Sequence, residues 1–369
     1  MDDLDLARKT IRDGISHGKL DPLTHAIEIM ERARFVRNKE GEYDFLANEE
    51  SMDDYLSRYL EGKIEFGLPT FLGNLDKYFR FKQNTLTIFG GIDNVGKTWI
   101  VWYLRVLAAM YHGHKTLILS SENEDYSLKR KIIEFYLNKK YENTTAEERK
   151  DGNVFYREYF RIISSSVSIY NAKDILDIGT EMYLREWGHF DCFVVEPYNS
   201  LDVDGIKDSE YRYHYRVLSK LRLFTKRYCS IWIAAHVHSA AARSRDSNGM
   251  IRVPMKSDLE YGQQFANRTD DFVMVHRLVN HPDRYRETQL HVQKIKETET
   301  GGRPTPFDEP VILKLNDNNC GFRSLDSNNL TDTDPIEEWW KKKRPSERED
   351  PLKDMFGSDP YQTTEDQPF

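Results

Sequence analysis

The chain has 369 residues, 39% hydrophobic, 12% aromatic and 31% charged, with a formal net charge of −8. That length allows one large domain with small appendages, and the acidic balance leaves nucleic-acid binding open, because binding depends on where the cations sit. No stretch approaches the ~20 apolar residues of a membrane helix, MDDLDLARKT is no secretory signal, and Cys192, Cys229 and Cys320 lie too far apart for a zinc or disulfide framework, so a reduced, soluble, cytoplasmic protein is expected.

Residues 1–62 read as a helical arm or linker. The run His25–Arg37 sets Ala26, Ile27, Ile29, Met30, Ala33 and Phe35 among charges, an amphipathic face suited to docking on a neighbouring subunit or to local packing. From about Gly67 the pattern changes. Thr85–Phe89 is β-branched and runs into a glycine loop, and Trp99–Met110 follows as a helix. Thr116–Ser120 is a strand and Tyr126–Lys139 a helix, with further buried strands at Cys192–Val195, Ser230–Ala235, Asp271–Val275 and Gln289–Lys294. Short apolar strands alternating with helices predict an α/β fold over 63–326, with a mostly parallel sheet covered on both faces. Beyond about Asn316 the order signal fades. After Pro345 there are seven acids and two bases, so 327–369 is expected to be a disordered acidic tail.

Gly91-Ile-Asp-Asn-Val-Gly96-Lys97-Thr98 fits the phosphate-binding pattern GxxxxGK[ST] without departure. The glycines let backbone N–H groups wrap a phosphate, Lys97 offers positive charge to the β- and γ-phosphates, and Thr98 offers a hydroxyl to Mg²⁺. The helix from Trp99 aims its positive end at the same anion. Gly91, Asp93, Asn94, Val95, Gly96, Lys97, Thr98 and Trp99 are therefore the expected ATP-binding set.

Hydrolysis needs an activated water and an anchored cation. Ser120-Ser121-Glu122 ends the strand after the loop, at the carboxyl edge of a parallel sheet, which makes Glu122 the candidate general base ahead of Glu124. Phe193-Val194-Val195 ends in Glu196, the candidate Mg²⁺ anchor, although such ATPases mostly use Asp there. His236 and His238 close a later strand. Their i, i+2 spacing allows a metal pair, but without a third ligand a γ-phosphate sensor at His236 fits better.

With these residues in hand, 67–316 resembles the RecA-like motor domain of replicative hexameric helicases of the DnaB type, with the phage primase-helicases and Twinkle. The lead-in Gly67–Asp76, the P-loop, Ser-Ser-Glu122, Met255–Asp270 and Gln293-Lys294-Ile-Lys296 with Gly301-Gly302 carry the resemblance. It implies a homo-hexameric ring driven by Mg-ATP hydrolysis along single-stranded DNA. It also implies that Lys294 and Lys296 reach the γ-phosphate of the next subunit, where the family has Lys-x-Arg. Lysine lacks the fork of arginine, and two surface lysines are the plain alternative. About 60 residues precede the motor, too few for a fused primase.

The segment Ser239–Lys256 has Arg243, Arg245, Arg252 and Lys256 against one acid, Asp246, and is the candidate DNA-binding loop or else a solvated one. The acidic tail with terminal Phe369 could engage a basic patch on a replisome partner (polymerase, primase or single-strand-binding protein), or merely solubilise. Compact size and tail hint at a phage origin. The competing readings are a RecA/RadA-like recombination ATPase and an ATP-gated loader or scaffold that hydrolyses slowly.

Overall fold

A computed structural model describes residues 49–61, 67–202, 209–247, 249–260, 263–325 and 334–343. The arm helix expected at His25–Arg37 and the terminal Phe369 lie outside the described residues. The chain divides into two units at Glu65/Phe66. In the first, α1 (Glu49–Leu60) is described, and Met52, Tyr55, Leu56, Tyr59 and Leu60, at i, i+3, i+4, i+7 and i+8, are all exposed. These residues form one apolar stripe facing solvent.

The second unit begins its regular structure with β1 (Leu86–Gly91), α2 (Lys97–His112), β2 (Thr116–Ser120), α3 (Asp125–Leu137) and α4 (Ala146–Tyr159). It continues through β3 (Phe160–Ile163), α5 (Ala172–Glu181), β4 (Cys192–Glu196), α6 (Glu210–Arg227) and β5 (Ser230–His236). The short helices α7 (Ser239–Arg243) and α8 (Gln263–Arg268) precede β6 (Asp271–Arg277), β7 (Glu287–Lys294), β8 (Val311–Leu315), β9 (Phe322–Leu325) and α9 (Pro335–Lys343). The strands form one nine-stranded sheet in the order β3-β2-β4-β5-β1-β6-β7-β8-β9. The six strands from β3 to β6 run parallel, and β7 to β9 add an antiparallel wing. Every residue of β1, β2 and β4 is buried, as continuous apolar strands covered on both faces should be.

The predicted strands and helices stand within a few residues of their expected bounds. Three strands carry no expectation from the sequence: β3, whose FRII is only four residues with a charge at its second position, and the wing strands β8 and β9. All three cysteines are buried and free. Among the described residues no helix is long and apolar enough to cross a membrane.

One expectation needs correcting. The proposed tail 327–369 includes α9, which packs on the core. Trp339 Nε1 donates to Met110 O at 2.9 Å, Trp340 Nε1 to Tyr136 O at 2.8 Å and Tyr111 Oη to Pro335 O at 2.6 Å. Asp334 caps the helix through Ile336 N at 2.9 Å, and its other oxygen accepts from Asn316 and Asn138. The anchors are a few large side chains whose partners lie some 200 residues upstream, and composition averaged over the tail hides them. Ile336 is 0% exposed. Ile336→Ala is therefore expected to cost about 2–5 kcal/mol in denaturant unfolding, whereas a tail residue would cost nothing measurable.

Candidate functional site

Four strand ends meet at the carboxyl edge of the sheet. Register pairs Gly91 with His236 across β1/β5 and Ser120 with Glu196 across β2/β4. The P-loop, His236, Glu196 and Glu122 therefore follow β1, β5, β4 and β2, four strands adjacent in the sheet. A cleft of about 830 Å³ opens there, lined by Asp93, Asn94, Gly96, Lys97, Thr98, Trp99, Glu122, Glu196 and His236 among others.

The loop leaves β1 against β6, so closely that a Cβ on Gly91 would sit 2.6 Å from Val275 O. Gly96 begins α2 at φ +92°, a left-handed conformation that favours glycine, and makes no side-chain cap. The N–H groups of the first turn thus stay available to an anion. Lys97 is 6% exposed, and its Nζ donates to Gly91 O at 3.1 Å and Ile92 O at 2.8 Å. Burial lowers its pKa to about 8, with Asp93, Glu122 and Glu196 opposing. The ammonium rests on the loop's own carbonyls, where an arriving phosphate would take it over.

Glu196 is 1% exposed. Its Oε2 accepts from Trp102 Nε1 at 2.9 Å, while Oε1 is buried without a hydrogen-bond partner. Burial raises its pKa to about 7, against the Thr98 hydroxyl, the Trp102 indole and Lys97, which favour the charged form. A buried carboxylate oxygen left over beside the P-loop threonine fits a divalent cation, which would supply the missing charge and ligand. The raised pKa has a sign. Protonated Glu196 is tolerated in the fold, so stability is full below about 4.5 and is lost as pH rises through about 7. Glu196→Gln is expected to stabilise the nucleotide-free protein by up to ~3 kcal/mol at pH 8 and hardly at all at pH 5, while weakening Mg²⁺-dependent turnover. Thermal melts at the two pH values, with turnover assays, check both halves.

His236 bridges two acids. Its Nδ1 lies 2.6 Å from Asp93 Oδ1 and its Nε2 3.5 Å from Glu122 Oε1. A γ-phosphate in the P-loop would face this ring. The alternative metal role recedes, because His238 Nδ1 accepts from Ala241 N at 3.1 Å and caps α7. Among the described residues no group of three or more His, Cys, Asp or Glu could hold a metal ion. Glu124 is the N-cap of α3 and, unlike its neighbour Asn123, does not line the cleft.

The cleft is also walled by Trp99, Arg277, Thr288, Leu315 and Phe322. An indole, a guanidinium, a phenyl ring and an aliphatic side chain suit a planar base. Only Trp99 of this group was legible in the sequence. Arg277 closes the parallel strand β6, Thr288, Leu315 and Phe322 come from the antiparallel wing, and the four share no local motif.

The basic segment Ser239–Lys256 begins as α7 and returns through a tight hairpin. Asp246 N donates to Met250 O at 2.8 Å, and Gly249 turns at φ +76°. Arg243, Arg245 and Arg252 are exposed, and Lys256 is half-buried. Arg252 lies 3.6 Å from Asp258, and Arg245 donates to the Ala242 and Ser244 carbonyls.

Lys294 and Lys296 are not in their own chain's cleft. Thr87 pairs with Asp271, and Phe272 with Lys294, so these lysines sit toward the amino edge of β1, about 10 Å or more from the P-loop along the strands. Lys294 Nζ caps the end of α8, donating to Ala266 O at 2.7 Å and Thr269 O at 2.6 Å. Lys296 is 51% exposed and 3.6 Å from Asp270.

No family model matches the chain. The Twinkle homolog protein, chloroplastic/mitochondrial, of Arabidopsis thaliana is 26% identical over 227 residues, covering 58% of this chain. The chain spans 31% of that protein's length. Among solved structures, one isolated ATPase domain aligns over 76% of this chain and 99% of its own, with a TM-score of 0.60 and 12% identity. A DnaB-like replicative helicase, described with its interactions with primase, aligns over 87% of this chain and 76% of its own, with a TM-score of 0.56 and 13% identity. The fold is that of RecA-like helicase ATPase domains. The resemblance to DnaB-type replicative helicases carried by the motifs is shared by a relative in sequence and by two structures in fold.

Proposed function

We propose that this chain is an ATP-driven motor that works in a ring, translocates on single-stranded DNA and unwinds duplex. The observation that carries the reading is the convergence at one cleft of a complete P-loop, the buried Glu196 with an oxygen to spare, and Glu122 held beside His236. A phosphate cradle alone would serve binding. A separate carboxylate, half-exposed and unburdened by the cation site, serves hydrolysis.

In this reading the first turn of α2 and Lys97 bind the β- and γ-phosphates. Thr98 and Glu196 would hold Mg²⁺, which neutralises charge on the phosphate oxygens. Glu122 positions the attacking water and takes its proton, and His236 senses the γ-phosphate. The wall from Trp99 to Phe322 receives the base. The exposed arginines Arg243, Arg245 and Arg252, with Lys256, follow β5 directly and would track DNA phosphates without reading bases.

Assembly is supported by two features. The α1 stripe of Met52, Tyr55, Leu56, Tyr59 and Leu60 is exposed, as a segment that docks on a neighbour would be. Lys296 lies nearer the opposite sheet edge from its own P-loop, the placement a residue serving another subunit's nucleotide needs. The acidic segment 345–369 remains the proposed contact for a replisome partner.

The test is steady-state ATP hydrolysis with and without single-stranded DNA, followed by unwinding of a forked duplex. Strong stimulation and strand separation are the expected results. Slow hydrolysis indifferent to DNA would favour the ATP-gated scaffold instead.

A further inference from the structure

Asn199 stands where three segments of the carboxyl edge meet, and the nucleotide chemistry above makes no use of it. Its Oδ1 accepts from the backbone N–H of His236 at 3.3 Å, and its Nδ2 donates to Glu260 Oε2. It follows Glu196 by three residues, in a turn held by Ser200 Oγ donating to Pro197 O at 2.8 Å and by the buried Tyr198 packed edge-on to Phe265.

Glu260 closes the basic hairpin at its base. Glu260 N donates to His236 O at 3.1 Å, His238 N donates to Asp258 O at 3.0 Å, and Val237 and Leu259 form an antiparallel bridge between them. Everything from Ser239 to Ser257 is therefore an excursion from a short two-stranded base, and one strand of that base carries the histidine that faces the P-loop. Two of the bonds at this base involve backbone on both sides, so they leave little slack between the main chain of His236 and the hairpin. Asn199 adds the third side, tying the base to the turn that follows the cation-anchoring strand.

We propose that Asn199 is a positioning residue that, with Glu260, locks the Glu196 turn, the end of β5 and the base of the hairpin into one unit. Occupancy of the phosphate site is thereby passed to the segment that holds DNA. This rests on the nucleotide-site reading above, but its test does not depend on motor activity. A phosphate entering between His236, Asp93 and Glu122 displaces the ring. With the clasp intact the displacement reaches Glu260 along two routes, and without it along the backbone of one strand only.

The amide–carboxylate pair allows a polarity swap. Asn199→Asp keeps the acceptor for His236 N but sets two carboxylates together, which opens the clasp. Glu260→Gln keeps an acceptor for the Asn199 amide and leaves it closed. In the double variant N199D/E260Q the glutamine amide donates to the aspartate, and the bond is rebuilt in reverse. Hydrogen exchange of 239–260 is followed with and without a non-hydrolysable ATP analogue and Mg²⁺, alongside affinity for an oligo-dT strand in both states.

In wild type and E260Q, the analogue is expected to shift exchange in the hairpin and DNA affinity together. N199D should lose about fivefold or more of the affinity shift, and the double variant should recover it to within about twofold. A purely local turn-stabilising role would lower the melting temperature of N199D and leave the nucleotide-induced shift intact, which overturns the proposal. So does a wild type that binds the analogue with no change in hairpin exchange. If hydrolysis proves indifferent to DNA, the motor reading falls, while the exchange comparison still decides the clasp.

Discussion

Replacing Glu122 by glutamine is expected to lower steady-state ATP turnover by about 10²- to 10⁴-fold while nucleotide binding persists. The substitution is nearly isosteric, so it leaves the P-loop cradle and the His236 neighbourhood in place and removes only the capacity to take a proton. The proposed role of Glu122 as the base is supported by geometry. Glu196 is buried against Trp102 and is the proposed cation anchor, and Glu124 does not line the cleft. The Glu122 side chain is 51% exposed and lines the same cleft as the P-loop. His236 lies 3.5 Å away and stands between Glu122 and Asp93 of the P-loop. Glu124→Gln, as the matched control, should change turnover by less than about twofold. Turnover preserved in Glu122→Gln would transfer the base to another group and remove the main support for hydrolysis at this cleft.

What the sequence made legible and what it hid divide along one physical line. Gly91–Thr98, the acid after β2 and the acid closing β4 are all local patterns: a strand, a turn chemistry, a charged residue where the apolar run stops. Parallel-sheet topology then brings them to one edge without further information, which is why three distant segments could be placed together before any contact was seen. The wing residues Thr288, Leu315 and Phe322 reach the same cleft only through antiparallel pairing of β6 to β9, a register that no single segment encodes, while Arg277 reaches it from the end of β6. The same holds for α9. Its Trp-Trp-Lys-Lys-Lys run looks like part of a charged tail until Trp339 and Trp340 find carbonyls on α2 and α3. Lys294 is the instructive intermediate. Its motif was visible, but its ammonium spends itself on the end of α8 within its own chain, and this could not be read from spacing.

That division between the two lysines sharpens the last expected result. Chains carrying Lys97→Ala and chains carrying Lys296→Ala should each be inactive as ATPases, and mixing them should restore activity. The first variant keeps a working Lys296 but cannot hold nucleotide, and the second holds nucleotide but lacks the distant cation. If Lys296 acts on the neighbouring subunit, a head-to-tail ring places the good lysine of one beside the good P-loop of the other, and random mixing at equal amounts completes roughly a quarter of the sites. Loss in the Lys296→Ala chain alone should approach the lower end of the ~10³–10⁵ attributed to an arginine in such a position, since an ammonium neutralises charge without the two-pronged geometry. Lys294→Ala should behave differently. It uncaps α8, so it should lower the melting temperature, and its activity loss should not be rescued by mixing beyond what its folded fraction allows. A mixture of the first two variants that stays inactive, in chains shown to co-assemble, would return Lys296 to the status of an edge-strand surface lysine. It would leave each cleft to hydrolyse ATP with the groups of its own chain, and the ring would then have no chemical reason to exist beyond encircling DNA.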